Sequence, residues 1–95
     1  MTSGDWKGFI QAIIDNNRQE VEYYLSSEVD LNYAHPEMMT TPLIEAVRFD
    51  YFELVVLLLE KGASPTFQSQ LGESPLKLAK QNQNNELIKL LKKFK

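Results

Sequence analysis

The sequence repeats one pattern at a near-fixed spacing. A shift of 33 places sets Pro42 over Pro75, Leu43 over Leu76, Ala46 over Ala79, Glu53 over Glu86, Leu54 over Leu87 and Leu57–Leu58 over Leu90–Leu91. In the other direction a shift of 34 sets Phe9 under Leu43, Ala12 under Ala46, Val21 under Val55 and Leu25 under Leu59. The additional residue is accommodated in the polar segment HPEMMT, residues 35–40. A period in this range means an array of stacked units, because one such unit cannot bury its apolar face alone.

Each unit has the same physical grammar. Thr41-Pro42 and Ser74-Pro75 place a capping hydroxyl before a proline whose missing N–H costs nothing at the first helical position. Leu43, Ala46 and Val47 then predict a short helix with one apolar face. Leu54, Val55, Leu57, Leu58 and Leu59 predict a second helix, apolar around most of its circumference, and Gly62 suits the left-handed position that ends it. Small Ala46 and Ala79 allow close helix approach. The expected architecture is all-α: three helix pairs in one domain of residues 1–95, with units of about 1–33, 34–67 and 68–95, joined by hairpin-like loops.

TPLIEA, ELVVLLLEKGAS and the 33-residue spacing resemble the ankyrin repeat, over roughly residues 6–94. Asp30-Leu31-Asn32 matches the exit of that motif in the first unit. Departures from the family pattern are also legible. The histidine after Thr-Pro-Leu is replaced by Ile44 and Lys77. The hairpin glycine survives as Gly72 but is Met39 one unit earlier. The glycine between the two helices is Asn16, Asp50 and Gln83. The last unit is polar on its outer side (Lys80, Gln81, Asn82, Lys89, Lys92), as an end cap requires.

Composition narrows the function classes. With 43% apolar and 24% charged residues the chain reads as globular, and its net charge of −3 argues against binding by broad phosphate neutralisation. Residues 1–66 hold four Lys/Arg and eleven Asp/Glu, a net of −7, while residues 67–95 hold six Lys and two Glu, a net of +4. No cysteine is present, which excludes a disulfide framework and a thiol nucleophile. The first residues carry no basic, apolar leader pattern, and the longest apolar run, Leu54–Leu59, is six residues, so a cytoplasmic location without a membrane span is expected. His35 is the one histidine and stands without a partner at ligand spacing. No phosphate loop, nucleophile elbow or zinc-binding helix motif occurs, so neither catalysis nor a cofactor or metal is expected. The terminal KLLKKFK reads as a solvated cap helix whose lysines suit the negative end of the helix dipole.

Binding remains. Resemblance to the ankyrin family implies partner contact on the concave side, built from hairpin tips and the exposed side of each first helix. Carried over by motif position, the candidate residues are Trp6, Ile14 and Asp15 in the first unit. The second unit contributes Glu37, Met38, Met39 and Thr40 in the hairpin, then Glu45, Arg48 and Phe49. The third contributes Gln70, Leu71 and Glu73, then Gln81 and Asn82. Trp6, Met38, Met39, Phe49 and Leu71 form an apolar set where a bare scaffold would use polar residues. Asp15, Glu37, Glu45 and Glu73 face Arg48 alone, an acidic margin suited to a partner with a basic surface. Tyr23, Tyr24, Tyr51 and Phe52 read as core or back-face packing. The expected role is a non-catalytic protein-binding module. An inhibitor or immunity-type protein masking a basic enzyme or toxin is the alternative, and a self-assembling homodimer a further one.

Overall fold

The computed structural model describes residues 6–27, 30–34 and 36–94. Six α-helices follow in order: α1 (Trp6–Ile14), α2 (Arg18–Leu25), α3 (Pro42–Arg48), α4 (Phe52–Glu60), α5 (Pro75–Gln81) and α6 (Asn85–Lys93). Among the described residues there is no strand. The helices pair as α1/α2, α3/α4 and α5/α6, the all-α architecture expected from the repeat.

The repeat is written into the hydrogen bonds as well as the sequence. Each pair turns through one residue with positive φ: Asn16 (54°), Asp50 (58°) and Gln83 (57°). The next residue's N–H reaches back five positions, from Asn17 to Ala12 O (2.9 Å), Tyr51 to Ala46 O (2.9 Å) and Asn84 to Ala79 O (3.1 Å). The three acceptors are the aligned alanines of the repeat. Asn and Asp tolerate the left-handed region; Gln83 enters it at a cost of about 1–2 kcal/mol. Met39 (50°) sits at the position where Gly72 (79°) turns the next hairpin, so the substitution seen in the sequence keeps the glycine conformation.

Capping follows the sequence closely. Thr41 Oγ1 accepts from Ile44 N and Ser74 Oγ from Lys77 N, both at 3.2 Å, with Pro42 and Pro75 in the first helical turn. Asn17 and Asn84 cap α2 and α6 by accepting from Glu20 N (3.3 Å) and Leu87 N (3.1 Å). Tyr51, at the same position before α4, makes no cap bond. Its hydroxyl instead donates to Ile14 O at 2.8 Å, closing the end of α1 in the neighbouring pair. Asn82 does the same one unit on, donating to Val47 O at 3.3 Å.

Packing explains why these short helices persist. From Pro42 to Val47 every residue of α3 is buried, because α1 covers one side and α5 the other. The first helices pack on one another more closely than the second helices do. Phe9, Ile13, Leu43, Ile44, Leu54, Leu58, Leu87 and Leu91 form the interior with Ala12, Ala46 and Ala79 at the close approaches. Burying each large side chain contributes roughly 1.5–3 kcal/mol, which no isolated pair could collect. Loops add polar ties: Asn32 accepts from Ser64 N (2.7 Å) and donates to Gly62 O (3.3 Å).

The turn geometry gives a direct test. Gln83 is exposed and its side chain makes no hydrogen bond among the described residues, whereas Asp50 Oδ1 accepts from Asn84 Nδ2 (3.0 Å). Gln83→Gly is expected to stabilise the fold by about 0.5–1 kcal/mol, and Asp50→Gly by less or not at all. Paired thermal melts measure both.

Candidate functional site

The face expected to be concave comprises α1, α3 and α5, which pack in that order, with the loops ahead of α3 and α5. Its centre is the C-terminal end of α3. Arg48 donates from Nη2 to Glu73 Oε1 (2.7 Å) and from Nη1 to Glu73 Oε2 (3.1 Å), a two-pronged pair across to the second hairpin. Its Nε also donates to both Glu45 oxygens at 3.2–3.3 Å. Thr40 Oγ1 completes the network by donating to Glu45 Oε2 at 2.6 Å. Glu45 is buried, and a buried carboxylate persists only when its charge and lone pairs are matched in this way.

Hydrogen bonding to Glu73, followed by that to Glu45, pushes the Arg48 guanidinium's pKa upward against the effect of burial. In return the Arg48 hydrogen bonds hold the Glu73 carboxyl below its ordinary 4.5, with burial opposing and the Arg48 charge reinforcing. Arg48, which stacking alone does not explain, is therefore the strut between the second and third pairs.

Several expected contact residues turn out to be structural. Trp6 is 3% exposed and packs edge-on against Phe9 (5.7 Å) and Tyr33 (5.4 Å), so it closes the first pair and offers no surface. Thr40 and Glu45 are buried in the network just described. Asn82 spends its amide on the end of α3. Ile14, Met38 and Met39 are half-buried. The acidic margin is largely engaged within the chain: Glu45 and Glu73 by Arg48, Glu37 by Lys7 (3.6 Å), and Asp15 by the Gln11 amide (2.9 Å). Gln70 donates to Ala34 O at 3.2 Å.

What remains apolar and open is Phe49 (44% exposed) and Leu71 (63%). They flank the Arg48–Glu73 bridge in sequence, one at each end of it. Phe49 stacks on Tyr51, with ring centroids 5.6 Å apart and planes 22° from parallel, and Tyr51 is fixed by its bond to Ile14 O. The Phe49 ring is thus held in place by the same residue that ties the first two pairs. Leu71 borders a small concavity of about 150 Å³ with Gly72, Glu73, Lys77, Leu78 and Gln81.

The outer face departs from the sequence reading. Tyr23 and Phe52, assigned to packing, are 72% and 43% exposed on α2 and α4. Their apolar character carries no signal that separates an outward aromatic from an inward one. Tyr24 does pack, tilted against Phe9 at 5.4 Å, and a Cβ at Gly8 would collide with its hydroxyl. His35 lies outside the described residues. Among the described residues no cluster of His, Cys, Asp or Glu could hold a metal ion, and no helix is long and apolar enough to cross a membrane.

Comparison with known proteins adds the following. The Ankyrin repeat family model matches residues 40–70. The chain is similar to Palmitoyltransferase AKR1 of Lachancea kluyveri, at 36% identity over 85% of this chain and 11% of that protein. It is similar to Ankyrin repeat and KH domain-containing protein mask-1 of Caenorhabditis elegans, at 39% over 75% of this chain and 3% of that protein. E3 ubiquitin-protein ligase HACE1 of Danio rerio matches at 37% over 65% of this chain and 7% of its own length. The chain thus spans about a tenth or less of these relatives.

The Arg48–Glu73 bridge predicts a definite pH response. Glu73 titrates lower when folded than when unfolded, so its contribution is present above about pH 4.5 and is lost as pH falls through the folded value. Urea titrations should find Glu73→Gln less stable than wild type by roughly 1 kcal/mol or less at neutral pH, the pair being part-exposed. That difference should shrink as pH falls below about 4.5, through the lowered folded value.

Proposed function

Because this chain belongs to the ankyrin repeat family, we propose that it is a non-catalytic module that binds another protein through its concave side, with Phe49 and Leu71 as the contact centre. Ankyrin repeats are generally protein–protein interaction modules, and their fold is generally non-catalytic. The observation that carries the finer reading is the Phe49 ring: exposed, stacked on Tyr51, and positioned by a residue anchored in the neighbouring pair. An aromatic held rigidly at the surface loses little freedom on contact, which is what a contact centre requires.

The charge of the face points less strongly to a basic partner than the sequence did. Its carboxylates already serve Arg48 and Lys7, and Arg48 is in turn occupied by Glu45 and Glu73. Recognition therefore rests on apolar contact, with Gln70 and Gln81 as polar neighbours at the third pair. The activities named for the longer relatives belong to those proteins.

The test is a double substitution, Phe49→Asp with Leu71→Asp. Proteins retained by the immobilised wild-type chain from an extract of its source cells are each titrated against both forms by calorimetry. Affinity should fall at least about a hundredfold, the loss expected when two central apolar anchors are replaced. Helicity and melting temperature should stay essentially unchanged, because both side chains are exposed. A partner bound equally well by the double variant removes the concave assignment; a variant that unfolds makes these residues core.

A further inference from the structure

A second surface lies on the outer layer, away from the concave side. α2 and α4 do not close on each other as α1 and α3 do. Between them runs a groove of about 180 Å³ lined by Arg18, Phe52, Glu53, Val56, Leu57 and Glu60. Its floor is apolar, with Phe52 exposed and Val56 and Leu57 half-buried. Arg18 at the rim is engaged by Glu22 at 3.3 Å. Glu53 and Glu60 meet no cation among the described residues. Seven positions apart on α4, they stand on one face about 10 Å from each other.

The complement to this groove is on the same chain. α6 buries Leu87 and Leu91, and exposes Lys89, Lys92 and Lys93, followed by an exposed Phe94. Lys89 lies one helical turn from both Lys92 and Lys93, so the three form one basic patch. None of them meets a carboxylate among the described residues. Charge is segregated along the whole chain in the same sense, −7 over residues 1–66 and +4 over residues 67–95.

We propose that the lysine-rich end of α6 in one copy docks into the α2–α4 groove of a second copy. Phe94 rests on the Phe52–Val56–Leu57 floor, and the lysines of α6 face Glu53 and Glu60. The contact is head-to-tail: each copy keeps one groove and one α6 end available, so association extends beyond a closed pair. It uses a small area and exposed charges, so it is weak and salt-sensitive. The concave side stays open, which lets a short array present several Phe49–Leu71 centres at once.

Sedimentation velocity of the full chain at low salt (about 20 mM) and high salt (about 500 mM) tests this, since screening shortens charge interactions between those limits. At low salt the weight-average mass should rise with protein concentration, and at high salt it should return to that of the monomer. Glu53→Lys with Glu60→Lys places lysines on both surfaces and should be monomeric. Lys89→Glu with Lys93→Glu places carboxylates on both and should also be monomeric. An equimolar mixture of the two variants should associate again, because each groove then meets an opposite α6. All four positions are exposed, and circular dichroism checks the helicity of each variant; Glu53→Gln with Glu60→Gln replaces the first should it lose helix. Phe49→Asp with Leu71→Asp should associate like wild type, which separates this surface from the concave one. Wild type that stays monomeric at every concentration overturns the proposal, including the case in which it binds phosphatidylserine vesicles through the same lysines. Variants that assemble singly, or a mixture that stays monomeric, overturn it equally.

Discussion

Coverage of one helix pair by the next is the constraint on which this structure depends. A seven-residue helix such as α3 would not hold its shape in water by itself, since helix nucleation is costly and a short segment gains few bonds in return. Here α3 is buried along nearly its whole length between α1 and α5. The alanines at 12, 46 and 79 serve twice. Their small side chains let the first helices approach, and their carbonyls accept the bond that reverses the chain into the second helix. Each unit is local in sequence, yet its stability is a property of its neighbours.

The polar residues follow the same logic at longer range. Tyr51 leaves α4 without a side-chain cap and closes the end of α1; Asn82 closes the end of α3; Arg48 reaches from α3 to the second hairpin. Each of these side chains crosses from one pair to another. The exposed residues of this face are therefore placed by stacking: Phe49 is presented because Tyr51 is anchored one unit away, and Leu71 lies in the hairpin that Arg48 ties through Glu73. Using charge for this strut leaves few carboxylates of the face unengaged, and the large apolar side chains exposed beside it are Phe49 and Leu71.

The sequence made the architecture legible to the level of individual backbone angles. Four positions read as replacing a family glycine, Asn16, Met39, Asp50 and Gln83, are the four non-glycine residues with positive φ among the described residues. The hydroxyl caps at Thr41 and Ser74 were equally plain, because capping is decided by neighbours three residues away. The surface was harder to read. Periodicity says that a residue lies on a helix's apolar or polar side, and it does not say which exposed group another loop will cover. Trp6 was placed at the surface and is buried against Tyr33, some 27 positions on. Glu45 and Arg48 looked like surface charges because Glu73, which pairs with Arg48, is contributed by the following unit. Tyr23 and Phe52 failed in the opposite direction, since the splay between α2 and α4 is a tertiary property with no local signature.

Mutual coverage of this kind requires the three pairs to fold as one body. Trp6 is the single tryptophan and is buried in the first pair, so its fluorescence reports that end alone, while far-ultraviolet circular dichroism reports all six helices. Equilibrium urea unfolding followed by both signals on the same samples is the direct measurement. Coincident transitions, with one midpoint and one slope, are the expected result. Helix loss that precedes or trails the tryptophan signal would mean that the pairs unfold separately, and that the ties made by Tyr51, Asn82 and Arg48 do not couple them.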